Sequence, residues 1–87
     1  MKVSKNLLEK IEQLLTDTGY TVRYEKGNFK GGYCVLDHER IIVVNKFYPL
    51  EGKINTLIDV VQSLELDTAA LTPSQLTFLK QLKKETA

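Results

Sequence analysis

The chain has 87 residues, 43% hydrophobic and 26% charged, which suits one folded domain spanning 1–87 and excludes wholesale disorder. Twelve basic side chains against eleven acidic ones leave a net charge of +1, so no global field draws the chain to nucleic acid or to an acidic membrane. With one cysteine, Cys34, and one histidine, His38, a single chain can make neither an intramolecular disulfide nor a four-ligand His/Cys zinc site. The longest apolar run, Ile41-Ile42-Val43-Val44, is too short to cross a bilayer. Glu9, Lys10 and Glu12 interrupt what a secretory leader would keep apolar. The expectation is a cytoplasmic chain with no membrane association.

Ser4 to Thr18 reads as an amphipathic helix. Leu7, Leu8, Ile11, Leu14 and Leu15 form one stripe. Ser4 is the expected N-cap, and Gly19 suits the left-handed position beyond the C-terminus. Lys5, Glu9, Lys10, Glu12 and Gln13 make up the polar side, read as a solvated face.

At Tyr20 the period changes to two. Tyr20, Val22 and Tyr24 alternate with Thr21, Arg23 and Glu25, the pattern of a strand with one buried face. After the glycine-containing stretch Lys26–Gly32, two further strands are predicted at Tyr33–Leu36 and Arg40–Asn45. A two-residue turn at His38-Glu39 sets Leu36 opposite Ile41, Val35 opposite Ile42, Cys34 opposite Val43 and Tyr33 opposite Val44. A longer turn with a shifted register is the alternative, because Asn-Gly chemistry is missing. Both faces of this hairpin are then apolar, so each needs cover from helices or from a second chain. Three strands also leave two edges open to strand addition.

Glu51 to Glu65 reads as a second helix, with Ile54, Leu57, Ile58, Val61 and Leu64 on one stripe and Val60 broadening it. Leu66–Leu71 is a connector. Thr72-Pro73-Ser74-Gln75 starts a third helix with Thr as N-cap, Pro at the first position and Gln closing a capping box. Leu76, Leu79 and Leu82 form its apolar stripe, with Phe78 to one side. Together these elements predict an α+β fold: a helix, a three-stranded antiparallel meander and two helices.

Three constellations carry candidate chemistry. Cys34 and His38 are a candidate reactive pair at the end of a hairpin, flanked by Asp37 and Glu39; a buried cysteine and a solvated turn histidine are the ordinary alternative. The glycines and lysines of 26–32 suggest a phosphate cradle but match no phosphate-binding motif, and the stretch joins two strands. Six of the seven aromatic residues fall between Tyr20 and Tyr48, with Arg23, Lys26, Lys30 and Lys46 interleaved. Tyr24, Phe29, Tyr33, Phe47 and Tyr48 with these four cations form a candidate interaction surface, the means by which small sheets stack and neutralise single-stranded nucleic acid. Asp59, Glu25 and Glu51 are scattered carboxylates with no pairing. The residues assemble no catalytic dyad, cofactor site or metal site.

The string RIIVVNKFYPLEGKINTLIDVVQSLEL resembles part of the ImmA/IrrE-type metallopeptidases, where a hairpin strand ending in I-x-V/L-N precedes a helix carrying His-Glu-x-x-His. On that alignment Ile58 and Gln62 stand at the two histidine positions and Asp59 at the glutamate. Both zinc-binding imidazoles are replaced, so the resemblance implies a catalytically inactive metallopeptidase-like domain. The chain also looks like small uncharacterised proteins of bacterial genomes, which implies no activity.

The leading expectation is a non-enzymatic protein-interaction module, self-associating as a homodimer or acting as a subunit of a larger assembly, without a cofactor. Binding of single-stranded nucleic acid through residues 20–48 is the second reading.

Overall fold

The computed structural model describes residues 2–26, 33–36 (as backbone) and 40–84. Among them lie α1 (Lys5–Asp17), β1 (Thr21–Glu25), β2 (Tyr33–Leu36), β3 (Ile41–Asn45), α2 (Leu50–Ser63), a 3-10 turn (Thr68–Ala70) and α3 (Pro73–Lys84).

Local chemistry sets both ends of α1 and the start of α3 where the sequence places them, whereas α2, which has no side-chain cap, runs Leu50–Ser63 and not Glu51 to Glu65. The Ser4 hydroxyl accepts from the Leu7 N–H at 3.0 Å and caps α1. Past its C-terminus, buried Thr18 donates its hydroxyl to the Leu14 and Leu15 carbonyls, satisfying end groups that the helix leaves open. Gly19 follows at φ +96°, and a Cβ there would lie 3.2 Å from Arg40 Nη1. Both its backbone angle and its close neighbour therefore favour glycine. At α3, Thr72 and Gln75 form a reciprocal capping box, with the Gln75 N–H to Thr72 Oγ1 at 3.2 Å and the Thr72 N–H to Gln75 Oε1 at 3.1 Å.

The sheet departs from the predicted meander. Its order is β1-β3-β2, with β3 in the middle, parallel to β1 and antiparallel to β2. The predicted β2–β3 register holds at all four pairs, Tyr33–Val44, Cys34–Val43, Val35–Ile42 and Leu36–Ile41. What fails is the assumption that consecutive strands are neighbours. β3 is the most continuously apolar strand, with Ile42, Val43 and Val44 all buried, and the central slot shields it on both sides. β1 carries Arg23 and Glu25 and suits an edge. The seven residues between Glu25 and Tyr33 suffice to span two strand spacings of ~4.8 Å, and are longer than a tight hairpin needs.

Ile11, Leu14 and Leu15 of α1, Ile42 and Val44 of β3, six residues of α2 and its connector, and Leu79 and Leu82 of α3 form one buried cluster. Val22 and Tyr24 of β1 pack against it. α1 lies against β1, α2 against β3, and both α1 and α3 against α2. α2 is thus enclosed by the sheet and two helices, which explains why Val60 and Thr56 are buried as well as its main stripe. Thr56 satisfies its hydroxyl on the Gly52 carbonyl at 2.7 Å.

Because residues alternate across a sheet, Val22, Tyr24, Ile42 and Val44 face the helices. Thr21, Arg23, Glu25, Ile41 and Val43 face the other way, with Cys34 and Leu36 at the matching register positions. Among the described residues no helix lies on this second face. Helical cover is therefore one-sided among the described residues, with α1 and α2 on the sheet and α3 packed on α2.

Candidate functional site

The predicted interaction surface divides between two faces and one end of the sheet. Tyr24 lies on the helix-covered face. Its hydroxyl donates to the Glu12 carboxylate of α1, and the Lys53 ammonium of α2 stands 5.2 Å from its ring centroid. Burial first, then the hydrogen bond to Glu12 and that carboxylate's charge, push the Tyr24 phenol above its ordinary range. It is therefore placed as a hydrogen-bond donor that joins α1, β1 and α2. Arg23 is on the opposite face, with its guanidinium 2.7 Å from Glu25 Oε1; the two side chains are 52% and 45% exposed. A pair so exposed contributes little to stability.

A second group gathers where β1 and β3 end. Lys26 follows β1, and the Lys46 N–H donates to the Glu25 carbonyl at 3.1 Å, carrying the pairing one residue past β3. Asn45 closes the turn there by accepting the Phe47 N–H on its side-chain oxygen at 3.0 Å. Phe47 is left 67% exposed, with the Lys46 ammonium 5.3 Å from its ring centroid. Tyr48 is half-buried beside it, and a Cβ on Gly52 would meet Tyr48 and Pro49 at 3.4 Å. Lys26, Lys46, Phe47 and Tyr48 are thus brought to one end of the sheet, while Tyr24 and Arg23 are directed to its two faces.

Register places Tyr33 beside Val44 and Cys34 beside Val43. Phe29, Lys30, His38 and most of the glycine-containing stretch lie outside the described residues. At the other end of the sheet, Arg40 has φ +53°, and its guanidinium is 5.9 Å from the Tyr20 ring centroid.

On the helix that carries the metallopeptidase resemblance, Ile58 is buried in the core and Asp59 is exposed. Gln62 donates from Nε2 to the Leu82 carbonyl at 2.9 Å, tying α2 to α3. Among the described residues no group of three His, Cys, Asp or Glu side chains is placed to hold a metal. No helix among them is long and apolar enough to cross a membrane.

An open groove of about 470 Å³ runs between α1 and α3, lined by Lys10, Gln13, Gln75, Phe78 and Gln81 among others. Nearby, Asp17 accepts from both Gln13 and Gln75, joining the two helices. The groove includes none of the candidate site residues, although Lys10, Gln13, Gln75 and Phe78 belong to the helix patterns read from the sequence.

The polar side of α1 predicts a solvated Glu12, and no motif in the sequence singles out Lys53. Their link to Tyr24 has no local signal, because it joins three elements distant in the chain. Comparison with known proteins adds no relative: no family model, no curated protein and no solved structure matches the chain.

Proposed function

We propose that this chain is a non-enzymatic interaction module that self-associates or serves as a subunit of a larger assembly. The observation that carries this reading is the one-sided helical cover of the sheet. α1 and α2 pack on the face of Ile42 and Val44, and α3 packs on α2. On the opposite face Ile41 is half-buried and Arg23 exposed, and among the described residues the edge strand β1 has no strand on its outer side. Half-buried sheets with open edges are surfaces that proteins use for strand addition and docking. Sedimentation across a concentration series, combined with pull-down from cell extract, tests the reading. A concentration-dependent oligomer or a stoichiometric protein partner supports it; a strictly monomeric chain that retains nothing overturns it.

A second reading rests on Phe47. An aromatic ring exposed to this degree beside Lys46, with Lys26 at the same end, offers the stacking face and cations that single-stranded nucleic acid uses. Binding of a labelled oligonucleotide, lost in Phe47→Ala and weakened by salt, is the expected result. No binding at low salt overturns it.

A further inference from the structure

β1 lies at one edge of the sheet, and its hydrogen bonds show which of its groups face outward. The Thr21 N–H donates to the Arg40 carbonyl at 2.9 Å, and the Glu25 carbonyl accepts from Lys46 at 3.1 Å. Successive residues of a strand direct their backbone groups to alternate sides, so Thr21, Arg23 and Glu25 bond to β3. Val22 and Tyr24 therefore turn their N–H and C=O groups to the outer edge. Their side chains are only half-buried, whereas those of their β3 neighbours Ile42 and Val44 are fully buried. A strand added beside β1 would complete both the backbone pairing and that cover.

Building on the interaction-module reading, we propose that the added strand is β1 of a second copy, paired antiparallel with Tyr24 opposite Tyr24. Charge selects both the partner and the register. Self-pairing must set outward-facing residues opposite one another, which leaves three arrangements centred within the strand. Centring on Arg23 sets two guanidiniums directly across from each other, a destabilising contact. Centring on Val22 sets Arg23 across from Thr21 and leaves Glu25 beyond the partner's strand. Centring on Tyr24 sets each Arg23 across from the partner's Glu25, twice by symmetry, at positions where cross-strand side chains approach closest. The Arg23–Glu25 pair within one chain then becomes part of a four-charge network on the face without helices. The two three-stranded sheets join into one across a two-fold axis, an isologous contact.

Sedimentation from micromolar to millimolar concentration tests this, with circular dichroism to confirm that each variant folds. The wild-type chain is expected to dimerise. Arg23→Glu alone and Glu25→Arg alone should each weaken self-association roughly tenfold, because each places like charges across the interface. Mixing the two variants should restore dimers, as heterodimers. Spin labels at Thr21→Cys in a Cys34→Ser background report the register. Two-fold pairing about Tyr24 sets the labelled Cα atoms ~20 Å apart along the strands, against ~14 Å about Arg23 and ~7 Å about Val22. A dimer indifferent to both charge reversals, or labelled at one of the shorter distances, overturns the β1 assignment while leaving an interaction module standing. A wild-type chain that stays monomeric at millimolar concentration overturns self-pairing altogether, and a partner recovered by pull-down would then carry the broader reading alone.

Discussion

The two faces of the sheet differ in composition, and the fold treats them differently. The register puts Val22, Tyr24, Tyr33, Val35, Ile42 and Val44 at positions of one face, and Ile41, Val43, Cys34 and Leu36 together with Thr21, Arg23, Glu25 and Asn45 at positions of the other. On one, Ile42 and Val44 are sealed beneath α1 and α2, and Tyr24 is held by Glu12 and Lys53. On the other, Val43 and Ile41 sit beside the exposed Arg23–Glu25 pair, with no helix above them among the described residues. The helices therefore cover the face that no charged residue interrupts. Helices settle where they find continuous apolar area, and α2, apolar around much of its circumference, draws α3 to itself rather than to the second face.

Neighbouring valines on β3 give the largest test of this contrast. Val44→Ala should cost about 2.5 kcal/mol, from lost burial and the cavity left in a closed core. Val43→Ala should cost about 1 kcal/mol, since its surroundings have more freedom to collapse. Urea unfolding of both variants measures the difference, and equal losses would mean that the second face is as tightly covered as the first. Next in size is Thr72→Ala, which removes the capping box of α3 and should cost about 1 kcal/mol. A smaller loss would mean that Gln75, through its bond to Asp17, holds the helix start without the cap.

Tyr24 sharpens the comparison through pH. Its folded-state pKa is raised above the ordinary tyrosine value of about 10, so above that pH the folded chain holds a proton that the unfolded chain has released. The associated stability is complete below about pH 10 and falls as pH rises toward the folded value. Tyr24→Phe should flatten the alkaline part of the stability profile by comparison with wild type. An unchanged profile would mean that the Tyr24 phenol is not the source of the alkaline loss. Smallest of all, Arg23→Ala should change monomer stability by less than about 0.5 kcal/mol, as exposed ion pairs do. A larger loss in dilute protein would show that the second face supports the monomer itself.

Much of the local structure was legible in the chain. The stripe of α1, the Ser4 cap, Gly19 beyond it, the Thr72–Gln75 box and the β2–β3 register each follow from neighbouring residues interacting by short-range rules. Less of the candidate surface was legible. Its residues cluster in sequence, but alternation along β1 sends Tyr24 and Arg23 to opposite faces, and only Lys26, Lys46, Phe47 and Tyr48 gather at one end.

The sequence by itself determined an α+β chain, the ends of α1, the start of α3 and the pairing of β2 with β3, because caps, periodicity and tight turns are properties of contiguous residues. Tertiary structure alone decided that β3 takes the centre beside a parallel β1, that α3 packs on α2, and that Glu12, Tyr24 and Lys53 meet. The physical reason is that strand order and helix placement depend on which arrangement buries the most apolar surface across the whole chain. A seven-residue connection after β1 permits either neighbour, and only the packed core chooses between them.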